Sequence, residues 1–186
     1  MSYYSKLFFK STKKALLIST ILASFIPFLV NSAKALEFQW NANDGYKRLR
    51  WYQRTAEKNY RNKIFLFFTP KDRKTGLLSL NIKFPNKYKS IKQKNITFCK
   101  AKMGAYTSRS KCIEEISSDI VLNKETQRLE IYPISPVPSD EDTYAVVLKI
   151  NNPQKSGLYQ FHSFGTSSGP IPVSSYIGSW TITIDP

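Results

Sequence analysis

The chain has 186 residues, a length that suits one domain plus a targeting segment. Hydrophobic residues make up 41% of it and aromatics 14%, enough for a packed core and too many for a disordered chain. The net charge of +15 favours acidic partners such as lipid headgroups, acidic polysaccharide or nucleic acid, unless it serves solubility alone.

Residues 1–35 are expected to be a secretory signal peptide. Lys6, Lys10, Lys13 and Lys14 form a positive n-region, Ala15 to Val30 is an almost unbroken apolar run of about 16 residues, and Ala33-Lys34-Ala35 offers small residues for cleavage before Leu36. The run falls short of the ~20 residues that span a bilayer comfortably, so cleavage is expected rather than an uncleaved anchor. No later stretch is long and apolar enough to span. The expected location is the periplasm or cell envelope, with the thylakoid lumen and the extracellular side left open. Losing the five lysines that precede residue 36 leaves 23 of the 28 basic residues against 13 acidic ones, a net charge near +10.

Residues 36–62 are expected to form an irregular basic, aromatic arm. Lys47, Arg48, Arg50, Arg54, Lys58 and Arg61 stand there with Tyr46, Trp51, Tyr52 and Tyr60 interleaved. The near-helical spacing of Leu49, Tyr52, Ala56 and Tyr60 suggests a helical turn. Basic residues mixed with aromatics suit a membrane surface or an acidic glycan. They would also suit single-stranded nucleic acid, but export argues against that partner. The binding candidates are Lys47, Arg48, Arg50, Trp51, Arg54 and Arg61; the plainer alternative is a solvated arm whose aromatics pack on the domain.

Residues 63–186 should be the folded domain. Lys63–Phe68 reads as a buried strand, and Leu77–Phe84 alternates with Leu78, Leu80, Ile82 and Phe84 on one side. Asn95–Cys99 is a further strand with Ile96 and Phe98 inward, and Asp119–Leu122 and Gln127–Tyr132 follow, with Leu129 and Ile131 on one face. Between them Lys100–Ser118 looks like a loop with a helical turn at Lys111–Ile116. Pro133, Pro136 and Pro138 make a stiff connection, since proline lacks the N–H that a central strand needs. In the last third, Tyr144, Val146, Leu148 and Ile150 share a face, as do Tyr159 and Phe161, then Tyr176, Trp180, Ile182 and Ile184. Short strands separated by turn signals, with no long helix, predict an all-β, immunoglobulin-like Greek-key β-sandwich of about 7–9 strands.

Cys99 and Cys112 lie thirteen positions apart. In an oxidising compartment a disulfide is expected, worth roughly 3 kcal/mol through the loop it closes, with two free buried thiols as the alternative. A metal site would need more ligands, and His162 is the only histidine.

The C-terminal third also carries a family likeness. Its segments are Tyr132-Pro133-Ile134-Ser135-Pro136, Thr143–Ile150, Asn152-Pro153-Gln154-Lys155-Ser156-Gly157-Leu158-Tyr159-Gln160-Phe161, Gly169-Pro170-Ile171-Pro172-Val173 and Tyr176-Ile177-Gly178-Ser179-Trp180. Together they resemble the domain of unknown function family 2808, exported proteins found mainly in cyanobacteria. The likeness is good over 127–186, fair over 63–98 and weak over 36–62 and 100–118. The asparagine-proline and glycine-tyrosine elements stand at slightly different spacing here, and the cysteine pair is not part of the family pattern. The resemblance implies no activity and transfers no functional residue. Physically, Pro153 favours turn initiation after Asn152, and Gly178 within the last strand marks a bulge or lets an aromatic ring lie across it.

No residue pattern points to catalysis, a metal or a cofactor. Asp140-Glu141-Asp142 lacks calcium-loop spacing and reads as a solvated turn. Glu114-Glu115 on a helical turn would point apart, unlike the facing carboxylates of sugar hydrolysis. His162 has no nucleophile motif beside it. Ser163–Ser168 reads as a small polar connector. The chain is therefore expected to be a non-enzymatic exported module that binds an anionic envelope component, a membrane surface or acidic polysaccharide. The alternative is a structural or assembly subunit that binds another exported protein.

Overall fold

The computed structural model of the protein describes residues 45–88, 90–105 and 107–186. The expected signal peptide 1–35 and the start of the arm, 36–44, lie outside the described residues. Among the described residues no helix is long and apolar enough to cross a membrane.

The described strands are β1 (Trp51–Gln53), β2 (Arg61–Phe68), β3 (Leu77–Lys83), β4 (Ile96–Lys102), β5 (Lys111–Glu115), β6 (Ser118–Asn123), β7 (Arg128–Pro133), β8 (Tyr144–Asn151), β9 (Gly157–Ser167) and β10 (Ser174–Ile184). They form two antiparallel five-stranded sheets, ordered β1-β2-β8-β4-β5 and β10-β9-β3-β7-β6. The orders β1-β2-β8-β4 and β10-β9-β3 are those of the ABED and GFC sheets of an immunoglobulin domain, with β7 and β6 added beside β3. Near the start of β9, Tyr159 donates its hydroxyl to the Lys155 carbonyl at 2.6 Å. That is the tyrosine corner expected between strands E and F. The chain is thus an all-β, immunoglobulin-like Greek-key sandwich.

Alternation fills the space between the sheets. Tyr144, Val146, Leu148 and Ile150 of β8 face Phe161 of β9 and Trp180 and Ile182 of β10 across one core. Trp180 is fully buried, meets the Phe68 ring edge-on at 5.0 Å, and donates its indole N–H to the Phe67 carbonyl. Burying a side chain such as Phe68 contributes about 1.5–3 kcal/mol. A second buried cluster lies on the outer face of β2, β8 and β4: Phe65, Phe67, Cys99, Ala101, Ala145 and Val147, with Met103 and Cys112 against it. Strands buried on both faces read as unbroken apolar runs, which is how Ile64–Phe68 and Tyr144–Leu148 appear.

Several expectations need correction. The helical turns expected at 49–60 and 111–116 do not form; those residues contain β1 and β5. Cys112 is bonded to Cys99 with a Cα separation of 5.7 Å, and β5 pairs with β4. A bulge between Leu77 and Ser79 turns Leu77 into the core in place of Leu78. A bulge between Tyr176 and Gly178 likewise leaves Tyr176 on the surface and turns Ile177 inward.

Residues 47–50, just before β1, bond to both sheets. Leu49 donates its N–H to the Ser179 carbonyl at 2.8 Å, and Ser179 donates to the Lys47 carbonyl at 2.7 Å, a parallel bridge to β10. A few residues later β1 pairs with β2. Beyond β1, the buried Asn152 side chain donates to the carbonyls of Thr55 (3.1 Å) and Glu57 (2.7 Å), and Asn62 donates to Asn152 at 2.9 Å. The asparagine of the Asn152-Pro153 turn therefore fastens the segment after β1 to the sandwich.

Candidate functional site

An extended segment points successive side chains to opposite sides. Over 48–52, Leu49 is buried and Trp51 packs against the core, while Arg48, Arg50 and Tyr52 face out. Opposite them stands the β4–β5 connection. It turns back on itself through two bonds, Ala105 N–H to the Ser108 carbonyl at 2.9 Å and Ser108 N–H to the Ala105 carbonyl at 3.1 Å. The Ser110 hydroxyl steadies the turn by accepting the Gly104 N–H at 2.9 Å. The Cys99–Cys112 disulfide ties the base of this connection to β4.

Between the two segments lies a cleft of about 920 Å³, lined by residues that include Arg48, Arg50, Tyr52, Phe67, Met103 and Arg109. Among the described residues none that lines it is acidic. Arg48, Arg50 and Arg109 are exposed, so their guanidinium groups stay hydrated and available to an anion. Rings continue from the cleft across the outer face of the sheet. Tyr52 is 6.1 Å from Phe65, Phe65 stacks on Phe67 at 5.8 Å, and Lys63 Nζ sits 4.9 Å above the Phe65 ring.

The six residues singled out in the sequence are split by this geometry. Arg48, Arg50 and Trp51 line the cleft. Lys47 does not: its ammonium pairs with Asp72 at 2.9 Å and donates to the Lys71 carbonyl at 3.1 Å. Arg54 and Arg61 are exposed at the far end of the β1–β2 pair, where Arg54 N–H bonds the Lys63 carbonyl and Arg61 lies opposite Asn151. Arg109 joins Arg48, Arg50 and Trp51 in the cleft from a polar loop, where a lone arginine carries no sequence spacing that would mark it.

The other candidates resolve into structure. Asp140 and Asp142 lie in a partly exposed turn that also clamps a buried cation. The buried Arg73 donates Nη2 to the Asp140 carboxylate at 3.2 Å and to the Asp142 carbonyl at 2.6 Å, and Nη1 to the Pro138 carbonyl. Its guanidinium lies 4.5 Å above the Tyr144 ring, whose hydroxyl donates to Asp140 at 2.8 Å. Lys100 is ion-paired with the Asp142 carboxylate. Glu114 and Glu115 are neighbours on β5 and so point to opposite sides. His162 Nδ1 is 2.8 Å from the Ser179 hydroxyl, which also bonds Tyr176 at 2.6 Å, but Ser179 is fully buried and presents no accessible nucleophile. Among the described residues no group of three or more His, Cys, Asp or Glu could hold a metal ion.

The fold and the cleft define an immunoglobulin-like β-sandwich with a basic groove at one end. The chain belongs to the family described as protein of unknown function (DUF2808), whose model matches residues 39–184. No curated protein matches the sequence. Among solved structures, the chain is similar to BslA, a bacterial hydrophobin, at 12% identity and a TM-score of 0.47, over 75% of this chain and 95% of that one. It is similar to the collagen-binding domain of a Staphylococcus aureus adhesin at 11% identity and a TM-score of 0.40, over 73% and 97%. A third similarity is to MyfA, the major subunit of Myf fimbriae from Yersinia enterocolitica, at 13% identity and a TM-score of 0.28, over 69% and 86%. Similarities at this level assign the chain no function.

Proposed function

We propose that this protein is an exported, non-catalytic binding module for an anionic component of the cell envelope, and that acidic polysaccharide is the class its cleft fits best. The observation that carries the reading is the convergence of Arg48, Arg50 and Arg109 on one cleft, with no acidic residue among its described lining. A guanidinium presents paired N–H donors that match a carboxylate or sulfate in two parallel hydrogen bonds. The Tyr52 ring beside them offers an apolar face to a sugar ring. The site is concave, which suits a polymer chain better than the flat face of a bilayer. The disulfide is compatible with the oxidising setting that export implies.

The test is affinity electrophoresis of the purified chain through gels containing polygalacturonate, with dextran as the neutral control. Polygalacturonate should retard the protein and dextran should not. Near-molar salt, where the Debye length falls to ~3 Å, should abolish the retardation. Retardation should also be lost in the triple variant Arg48→Ala, Arg50→Ala, Arg109→Ala. A wild-type chain that migrates freely, or a triple variant retarded as strongly as wild type, would overturn the reading. Binding to phosphatidylglycerol vesicles without binding to polygalacturonate would move the assignment to a membrane surface.

A further inference from the structure

The two sheets end in β1, β5, β10 and β6, and three of these edges are closed or blunted. Along β10, the Lys47–Leu49 segment takes the hydrogen bonds of Ser179, and Asp185 donates to the Ala56 carbonyl at 2.9 Å. β1 is only three residues long. β5 is interrupted by a bulge at Lys100/Ala101 and carries Lys111, Glu114 and Glu115. Charges, bulges and short length are the means by which edge strands avoid pairing with other chains.

β6 is less protected. It pairs with β7 in unbroken register from Ser118↔Pro133 to Asn123↔Arg128. It contains no proline, lysine or arginine, and Asp119 is its single charge. The Ile134 N–H bonds the Ser117 carbonyl, which sets the phase of the ladder. Asp119, Val121 and Asn123 therefore exchange bonds with β7, and the N–H and C=O groups of Ile120 and Leu122 point away from it. Those groups have no hydrogen-bond partner among the described residues. Val121 is 50% exposed, and Ile120 and Leu122 are half-buried at the margin of the core.

We propose that β6 is a dimerisation edge, and that it pairs with β6 of a second copy of this chain, antiparallel about a two-fold axis through Val121. This register is self-complementary. Val121 meets Val121 of the second copy, Ile120 meets Leu122 of the second copy, and Asp119 meets Asn123 of the second copy. The outward groups of Ile120 and Leu122 fall in the hydrogen-bonded positions, and Val121 falls in the closer, non-hydrogen-bonded pair. Two Asp119 carboxylates would stand four residues apart along the strands, about 14 Å, beyond the ~8 Å Debye length at physiological ionic strength. Centring the pair on Asp119 instead would oppose two carboxylates directly. The two β10-β9-β3-β7-β6 sheets become one continuous sheet, and no cleft residue takes part.

The test is sedimentation equilibrium of the purified chain over a range of concentrations. Wild type should show a concentration-dependent dimer. Val121→Lys and Val121→Glu each place like charges at the axis and should give monomers. Mixing these two variants should restore the dimer mass, a recovery that misfolded variants could not show. Val121→Cys should cross-link as a dimer under mild oxidation, since a non-hydrogen-bonded pair brings Cα atoms to about 4.5 Å. The proposal is overturned if wild type stays monomeric throughout. It is equally overturned if both charge variants keep the dimer, or if Val121→Cys fails to cross-link in a dimeric sample.

Discussion

Leu49 lies across Gly178. A Cβ built on Gly178 would stand 2.7 Å from Leu49 Cγ and 2.7 Å from the Lys47 carbonyl oxygen, and the residue has φ +156°. The bulge expected at this glycine is present, but the group that crosses it is an aliphatic side chain and a backbone carbonyl, not an aromatic ring. Gly178→Ala should therefore push the 47–49 segment off β10. Overpacking of this kind costs about 1–3 kcal/mol, and a domain of this size loses roughly 2–4 °C in Tm per kcal/mol. Because Arg48 and Arg50 flank Leu49, polygalacturonate binding should weaken in the same variant. Calorimetry and affinity electrophoresis on one preparation would check both, and an unchanged Tm would contradict the close approach.

The split among the arginines separates a site from a general attraction. Arg50→Ala with Arg109→Ala removes two charges from the cleft, and Arg54→Ala with Arg61→Ala removes two from the far end of the β1–β2 pair. If net charge alone held the polymer, the two double variants would behave alike. The cleft reading expects each cleft arginine to lower affinity roughly tenfold, about 1.4 kcal/mol, with little change in the far pair. Titration by isothermal calorimetry at one fixed salt concentration would tell them apart.

Strands that bury one face were legible because their chemistry alternates. Leu129 and Ile131, or Trp180 and Ile182, could be placed inward from spacing alone. Strands with a different job were not. β5 reads Lys-Cys-Ile-Glu-Glu and is held by a disulfide and by pairing to β4, so no apolar period marks it. Around β1 two periods compete. The outward set Arg48, Arg50 and Tyr52 follows a strand, while Leu49, Tyr52, Ala56 and Tyr60 follow a helix, and only pairing with β10 and β2 decides. Ser163–Ser168 reads as a connector because Gly165, Thr166, Ser167 and Ser168 are small and stand in a row, yet β9 runs through to Ser167. Smallness there answers to packing: a Cβ on Gly165 would meet Ile177 Cδ1 at 2.6 Å. The cleft was half legible for the same reason. Its basic wall is contiguous in sequence, whereas Arg109 arrives from a loop more than fifty positions away.

Reduction should act on stability and on the cleft together. The Cys99–Cys112 bond closes the connection that carries Arg109. Opening it should cost roughly 3 kcal/mol through the freed loop. Replacing both with alanine, Cys99→Ala with Cys112→Ala, avoids burying a hydroxyl at Cys99, which is fully buried. The double variant should remain folded at moderate temperature, unfold at lower urea, and bind polygalacturonate less well than wild type. Urea titration of wild type with and without dithiothreitol should reproduce the shift, and a dithiothreitol effect that persists in the double variant would assign it to something other than this bond.

The clamp around Arg73 predicts how stability depends on pH. Burial alone would raise the Asp140 carboxyl, but hydrogen bonds from Tyr144 and Arg73 outweigh it and hold the group below the usual carboxylate range. Its contribution is then complete above about pH 4 and disappears as the pH falls through the lowered value. His162 is pushed down by burial and then by Lys83, so it favours the neutral ring and its contribution fades below about pH 6.5. Tyr144 works on the other side. Burial first, and the bond to Asp140 second, push its phenol up to about 12 from 10.0. Its contribution is full below about pH 10 and is lost as the pH rises toward that value. Urea midpoints should therefore form a plateau between about pH 7 and 10 and fall on both sides. Asp140→Asn should lower the plateau by about 1 kcal/mol and flatten the fall below pH 4, since the exchanged group no longer titrates. Tyr144→Phe should flatten part of the alkaline fall, the rest belonging to Tyr88, whose phenol burial also raises, and should soften the acid fall too, because it removes a hydroxyl that holds Asp140 down. An acid limb as steep in Asp140→Asn as in wild type would place the proton uptake on a different carboxylate.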